Sequence, residues 1–247
     1  MHKTLCLLAI TLICIACSAQ ADTRLVYTGD NGQFVVSIRA GEIRIDDTNG
    51  GWQLYREGAN TIYAVDPDHN SYTRMDEDVA ATLHDRMQEL RAKIEAQIEK
   101  LPPERRDIAR SVLAEQIPGF TGKAQKVTLD ATGGHDEVSG IECEIVQVVR
   151  DGEAAERMCI ATAAALDMPA DEFATLKAMF SLMHSMLAGT GFEAVGLPYL
   201  DLAGMPIRFH ANNGEAQRTL SQVSHEALAD QLFQVPDTYI EQIPGHE

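Results

Sequence analysis

Short runs of alternating hydrophobic and polar residues dominate the chain from residue 24 to residue 75. Segments rich in Gly, Asp and Asn, such as GDNG and DTNGG, separate these runs. Phe34, Val36 and Ile38 recur at every second position and are opposed by polar residues such as Arg39, which is typical of a strand with one buried face. The pattern predicts an antiparallel meander whose strands are RLVYT, QFVVSIR, EIRID, WQLYR, TIYAV and SYTRM.

Residues 76–117 change to a helical period. Asp76 or Asp78 can cap a helix in which apolar residues recur every three or four positions, and Pro102 ends it before a second helix. We expect a helical hairpin inserted between sheet strands, either packed on the sheet or used as a partner-binding arm. Its removal, with a short turn joining Arg74 to Lys123, should then leave the sheet able to fold.

The rest of the chain returns to strands around one long helix. We expect an α+β fold in which an antiparallel sheet curves into a half-barrel with helices on its concave face. The expected strands are 126–131, 140–150, 155–163, 206–211, 216–223 and 233–236, with helices at 169–188 and 225–231 and a turn at 212–214.

The first 21 residues have the pattern of an export signal. Lys3 precedes an apolar run, LCLLAITLICIA, and a small-x-small site, AQA, ends just before Asp22. The alternative is a lipoprotein signal in which Cys17 is lipidated, which would tether the protein to the outer membrane. We therefore expect a periplasmic protein whose mature part, residues 22–247, is a single domain without a transmembrane span.

Charge and motifs exclude several classes of function. The chain has 37 acidic and 20 basic residues, a formal net charge of −17, so a nucleic-acid-binding surface is not expected. It contains no nucleotide-binding loop, no nucleophile elbow and no His-Glu-x-x-His sequence. We accordingly expect no enzymatic activity, no cofactor and no metal site.

Two short polar clusters resemble metal sites only superficially. The segment 66–77 matches several ligand positions of an EF-hand loop, but Ser71 stands where a Gly is needed, so a hairpin turn is expected. His135, Asp136 and Glu137 are adjacent in sequence rather than on one face, which favours a solvated loop.

Only two cysteines, Cys143 and Cys159, remain outside the export signal. They flank the turn sequence DGE, and in a hairpin centred on Asp151 they face each other directly. Directly opposed residues in an antiparallel pair lie at a separation that suits a disulfide. The sequence therefore predicts a structural disulfide in an oxidising compartment.

The chain also resembles a known family through several short motifs. They are DPDHNSYTRM, EVSGIECEI with the answering ERMCIA, GMPIRF and FQVPDTYI. Together with the export signal, these are similar to domain-of-unknown-function proteins grouped with the periplasmic lipoprotein-carrier (LolA-type) fold. The resemblance implies an antiparallel half-barrel wrapped around helices, with an apolar cavity between them, and it implies no catalytic residue.

The helix expected at 169–188 is unusually rich in methionine. Unbranched Met side chains adapt to irregular partners, so this helix either lines a lipophilic cavity or is ordinary core. The candidate ligand-binding residues on its broad apolar face are Phe173, Leu176, Met179, Phe180, Met183, Met186 and Leu187.

These observations favour a non-catalytic envelope protein that binds an acyl chain, a lipid or a lipidated polypeptide. For such a ligand, the acidic composition predicts that a negative head group is repelled or has little effect. The alternative is an envelope interaction or sensor module that binds a protein partner through the 76–117 hairpin. No nucleophile, base and orienting group can be combined from the sequence into a hydrolase site.

Overall fold

A computed structural model describes residues 21–30, 32–116, 126–188, 202–211 and 218–243. Within these ranges the protein is an α+β fold, in which three α-helices accompany an open, mostly antiparallel sheet of twelve strands. Residues 1–20, and with them the expected export signal and Cys17, lie outside the described residues, as does the turn expected at 212–214.

The expected meander forms the first half of the sheet. Each strand pairs antiparallel with the next one along the chain, as the alternating pattern predicted. The strands are β1 (Asp22–Gly29), β2 (Gly32–Arg39), β3 (Glu42–Asp46), β4 (Trp52–Arg56), β5 (Thr61–Asp66) and β6 (Ser71–Met75).

The second half of the sheet joins the first through the pairing of β11 with β1. β12 pairs with β6 in parallel and ends the sheet on that side. The strands are β7 (Val127–Val138), β8 (Ile141–Arg150), β9 (Glu153–Thr162), β10 (Gly204–Ala211), β11 (Arg218–Glu226) and β12 (Ile240–Glu241).

Three local expectations from the sequence are wrong. His135, Asp136 and Glu137 belong to β7, which continues past a bulge between Ala131 and Gly134. The helix expected at 225–231 is absent because β11 runs to Glu226, and a short 3-10 turn forms instead at Asp230–Phe233. The strand expected at 233–236 is replaced by β12, because Phe233 is buried beneath the sheet rather than paired within it.

The helices are α1 (Glu77–Ile98), α2 (Pro103–Gln116) and α3 (Ala170–Leu187). Asp76 caps α1 by accepting a hydrogen bond from the backbone N–H of Val79 at 3.0 Å. Arg106 and Arg110 of α2 form ion pairs with Glu99, which follows α1, at 2.9 and 2.7 Å. The two helices predicted from residues 76–117 are therefore present and in contact.

The two helices do not connect strands that are neighbours in the sheet. The strand order is β12-β6-β5-β4-β3-β2-β1-β11-β10-β9-β8-β7, so nine strands separate β6 from β7. At about 4.8 Å per strand, the two lie roughly 48 Å apart along the sheet. The segment with α1 and α2 is the connection between distant parts of the sheet.

Each face of the sheet is covered in part. The inner face, defined here as the face packed against α3, holds the main core, which includes Leu25, Ile38 and Ile43 from the strands and Leu176 from α3. On the outer face, Phe233 and its neighbours near the C-terminal end cover the strands β4, β5 and β6.

The disulfide between Cys143 and Cys159 is present, with a Cα separation of 5.3 Å. Its register differs from the expected one, because Cys159 faces Ile145 and the bond runs diagonally between β8 and β9. Two features produce this shift: the turn contains two residues, so that Arg150 faces Glu153, and a bulge at Val148 and Val149 moves the register by one further residue. A disulfide closing a loop of this size contributes about 3 kcal/mol and is typical of proteins exported to an oxidising compartment.

Across the described ranges, α1, α2 and α3 are all either too short or too polar to span a lipid bilayer.

Candidate functional site

An apolar cavity of about 290 Å³ lies between α3 and the inner face of the sheet. Three of the residues singled out in the sequence, Leu176, Met179 and Phe180, form its helical wall. The strands supply the remaining lining, which consists of Tyr27, Phe34, Val36, Ile45, Met205, Pro206, Phe209 and Arg218.

The other helical candidates lie next to the cavity rather than in its wall. Phe173, Met183 and Met186 are half-buried and pack against the main core. Leu187, at the end of α3, is half-buried and outside the cavity lining. The structure therefore divides the broad apolar face of α3 into a part that faces the cavity and a part that packs.

The strand residues of the lining were not identified from the sequence. Alternation places Val36 and Phe34 on the buried face of β2, but it does not indicate where the packing leaves a cavity. Met205, Pro206 and Phe209 reach the site because β10 lies close to β1, with only β11 between them in the sheet. Such a long-range arrangement has no signature in a single sequence.

Tyr27 contributes a hydroxyl group to the wall without making it polar. The hydroxyl donates a hydrogen bond to the backbone oxygen of Pro206 at 3.0 Å, so its polarity is satisfied within the protein. The ring packs edge-on against Phe34, with centroids 5.8 Å apart, and against Phe209 at 6.3 Å. The interior of the cavity is thus suited to an apolar ligand.

A second, more polar groove of about 380 Å³ adjoins the cavity. The two spaces share Phe34, Ile45 and Arg218 as lining residues. The groove is also lined by Asp47, Gly51, Trp52, Gln53, Ala64, Val65, Asp66 and Thr73.

Arg218 is the one charged residue in the lining of the apolar cavity. It is exposed, and its guanidinium carbon lies 5.2 Å from the centre of the Phe34 ring. Within the described part of the chain, no carboxylate forms an ion pair with it. A cation therefore stands at the junction of the apolar cavity and the polar groove.

Glu172 is a buried carboxylic acid near the start of α3, with 1% of its surface exposed. One oxygen accepts a long hydrogen bond, 3.3 Å, from the backbone N–H of Thr23, and the other has no hydrogen-bond partner in the described residues. Desolvation raises the pKa of Glu172 to about 7, and the negative charges of Asp22 and Asp171 add to that effect.

Because the pKa of Glu172 is raised in the folded protein, we expect its contribution to the free energy of unfolding to fall as pH rises. Between about pH 4.5 and 7 the folded protein keeps the Glu172 proton while the unfolded chain releases it, so folding becomes less favourable through this window. Glu172→Gln should remove most of this fall, which amounts to roughly 3 kcal/mol. Denaturant unfolding at pH 5 and pH 8 measures this difference in the free energy of unfolding.

The exposed Glu153→Gln variant is the matched control for this measurement, since it removes a carboxylate that is not buried. It should keep the pH dependence of the unmodified protein. An unchanged dependence in Glu172→Gln would show that another group carries the effect.

The two polar clusters considered as metal sites have other roles. In the turn between β5 and β6, Asp66 accepts backbone hydrogen bonds from Asp68 and His69, and the His69 ring lies 2.7 Å from its other oxygen. On β7, Asp136 forms an ion pair with Arg208. The described residues contain no cluster of three or more metal-ligating side chains.

Comparisons with known proteins give little further information. No family model matches the chain, and the search of curated proteins finds no match. Among solved structures, the structure of PNGF-II in C2 space group aligns with a TM-score of 0.40 and 10% identity, over 91% of this chain and 31% of that chain. The chain thus spans less than a third of that protein, and this likeness is too weak to indicate a shared fold or function.

Proposed function

We propose that the protein is a non-catalytic binding protein of the bacterial envelope that takes up an acyl chain. The observation that carries this proposal is the apolar cavity of about 290 Å³ between α3 and the inner face of the sheet. Its volume is at the lower end of the range of about 300–1,000 Å³ usual for ligand pockets. Its walls are apolar apart from Arg218 and the satisfied Tyr27 hydroxyl.

The wider proposal is that the open sheet is a half-barrel of the lipoprotein-carrier type, with α3 on its concave face. The antiparallel meander, the helix packed on one face and the cavity between them support it. The disulfide supports an exported protein, and a periplasmic location with cleavage before Asp22, or lipidation at Cys17, belongs to the same proposal.

The energetics of burial are sufficient for a single chain. Each buried methylene contributes about 0.8 kcal/mol, so roughly ten methylenes supply about 8 kcal/mol before the cost of ordering the ligand. A cavity that is already open in the protein lowers that cost, since little rearrangement has to accompany binding.

Filling the cavity should abolish binding. Val36 lies in the cavity wall with 4% of its surface exposed, and Val36→Phe places a ring into the space that the chain would occupy. We expect at least a tenfold loss of affinity for dodecanol, measured by calorimetry, and less lipid in solvent extracts of protein purified from its envelope. Stability should change by less than about 1 kcal/mol, because the ring enters open space.

Met183→Ala is the control variant on α3, because Met183 packs against the core but does not line the cavity. It should lose about 2 kcal/mol of stability and keep its affinity. If the unmodified protein binds no alkyl chain and its extracts hold no lipid, the cavity is a packing defect and the proposed function is wrong.

A second candidate function is favoured by apolar residues exposed on α1 and α2. Leu90 is 49% exposed and Ile108 is 64% exposed, although both belong to apolar positions of the helical pattern. Such residues are suited to a protein partner in the envelope, with the segment 76–117 as a hairpin-shaped arm. Replacing both by Ser should leave alkyl-chain binding unchanged if the helices serve a partner and the cavity serves a ligand.

A further inference from the structure

The inner face of the sheet changes from apolar to polar along a single row of paired residues. Leu25 faces Val36, and Val36 faces Ile45. Across the next three strands the same row continues with Gln53, Ala64 and Thr73, as shown by the register. Val36 and Ile45 of this row line the cavity, whereas Gln53, Ala64 and Thr73, two of them polar, line the adjoining groove.

The cavity and the groove are connected at their shared residues. Phe34, Ile45 and Arg218 line both spaces, so a molecule that fills the cavity and continues past them enters the groove. An apolar space followed by a polar one matches an amphiphile, a molecule with one hydrocarbon chain and a polar head.

The charge at the connection is positive although the protein is strongly acidic. Arg218 stands there with its guanidinium against the Phe34 ring and without an ion pair in the described residues. An arginine in this setting binds a carboxylate or phosphate through charge-assisted hydrogen bonds.

The carboxylates of the groove limit how far an anionic group can enter. Asp47 accepts a hydrogen bond from the N–H of Thr48 at 2.7 Å, and Asp66 interacts with His69 and Asp68. Carboxylates in these positions disfavour an anion deeper in the groove and favour a cationic group. The favourable place for an anion is therefore Arg218, at the start of the groove.

We propose that the ligand is a single-chain anionic amphiphile. Its chain fills the cavity, its carboxylate or phosphate binds Arg218, and the rest of its head group extends along Gln53, Ala64 and Thr73. This inference rests on the proposed acyl-chain binding and reverses the expectation from net charge that a negative head group is repelled or unimportant.

The test compares ligands with the same twelve-carbon chain and different head groups, titrated below their micelle-forming concentrations. Dodecanoate and dodecyl phosphate should each bind about tenfold more tightly than dodecanol. Arg218→Gln should remove this advantage and leave the affinity for dodecanol within twofold. The control, Arg105→Gln on the exposed side of α2, should change none of these affinities.

The outcomes separate the two proposals. If dodecanol binds as tightly as the anions, or Arg218→Gln weakens all three ligands equally, the anionic head group is excluded while acyl-chain binding stands. If none of the three binds, both proposals fail. The stronger of the two anions identifies carboxylate or phosphate as the natural head group.

The groove is tested with a ligand that has a longer head. Ala64→Phe narrows the groove at the centre of its polar row, where Ala64 faces Gln53 and Thr73. Dodecyl phosphocholine should lose about tenfold in affinity for this variant, whereas dodecanoate should be unaffected. If the variant and the unmodified protein bind dodecyl phosphocholine with equal affinity, the head group does not occupy the groove.

Discussion

A variant in which a short turn joins Arg74 to Lys123 should not fold cooperatively, which reverses the expectation from the sequence. This deletion removes α1 and α2, and it leaves β6 and β7 with nine strands between them in the sheet. The two strands are separated by roughly 48 Å along the sheet, and by about 30 Å in a straight line if that path curves into a half circle, whereas a turn of four to six residues reaches about 20 Å at most. We expect a featureless denaturant transition and loss of near-UV circular dichroism.

A second deletion variant separates the length of the connection from the packing of the helices. Replacing the same residues by about 25 Gly and Ser residues restores a reach of more than 48 Å when the chain is extended. This variant should recover a cooperative transition, with lower stability because the buried contacts of Ile98 are lost. Cooperative unfolding of the short-turn variant would contradict the strand order described above.

Phe233→Ala should destabilise the protein by about 3–5 kcal/mol. Phe233 is fully buried on the outer face of the sheet, in a cluster with Trp52, Leu54 and Val65. Arg39 also stacks on its ring, with the guanidinium carbon 4.2 Å from the ring centre. Truncation to Ala therefore leaves a large cavity and exposes one end of the cluster, which denaturant unfolding will measure.

The control for this variant is Ile243→Ala, because Ile243 belongs to the same C-terminal part of the chain but is 63% exposed. Its effect should be within about 0.5 kcal/mol. A similar small effect in Phe233→Ala would mean that the outer face is stable without the C-terminal segment. Affinity for alkyl chains should be retained, since Phe233 does not line the cavity.

The strands of the meander were predictable because their pattern is local. Each pairs with its neighbour in sequence, so alternation and turn residues determine both the strand and its partner. Phe233 shows the limit of such local evidence. Its surroundings, FQVP, have the character of a strand, but its burial under Trp52 decides the structure and is visible only in three dimensions.

The disulfide and the cavity also show that local patterns are predictable from sequence whereas long-range pairings are not. Two cysteines around a turn predicted the bond, but its register depends on the two-residue turn after Arg150 and on the bulge at Val148 and Val149, and composition does not indicate that bulge. The helix α3 was predicted from its periodicity, including the three residues that reach the cavity. The strand residues opposite them, and Arg218 above all, depended on pairings between distant parts of the chain.

The strand β7, at one edge of the sheet, also affects how readily the protein aggregates. Among the described strands β7 has a partner on one side only, and a twelve-residue edge of this kind presents backbone groups to which another chain could add, leading to aggregates. In β7 the bulge between Ala131 and Gly134 interrupts the regular spacing of those groups. The exposed charges of Asp130 and Glu137 further oppose the approach of a second strand. This edge should therefore help to keep the protein monomeric at high concentration.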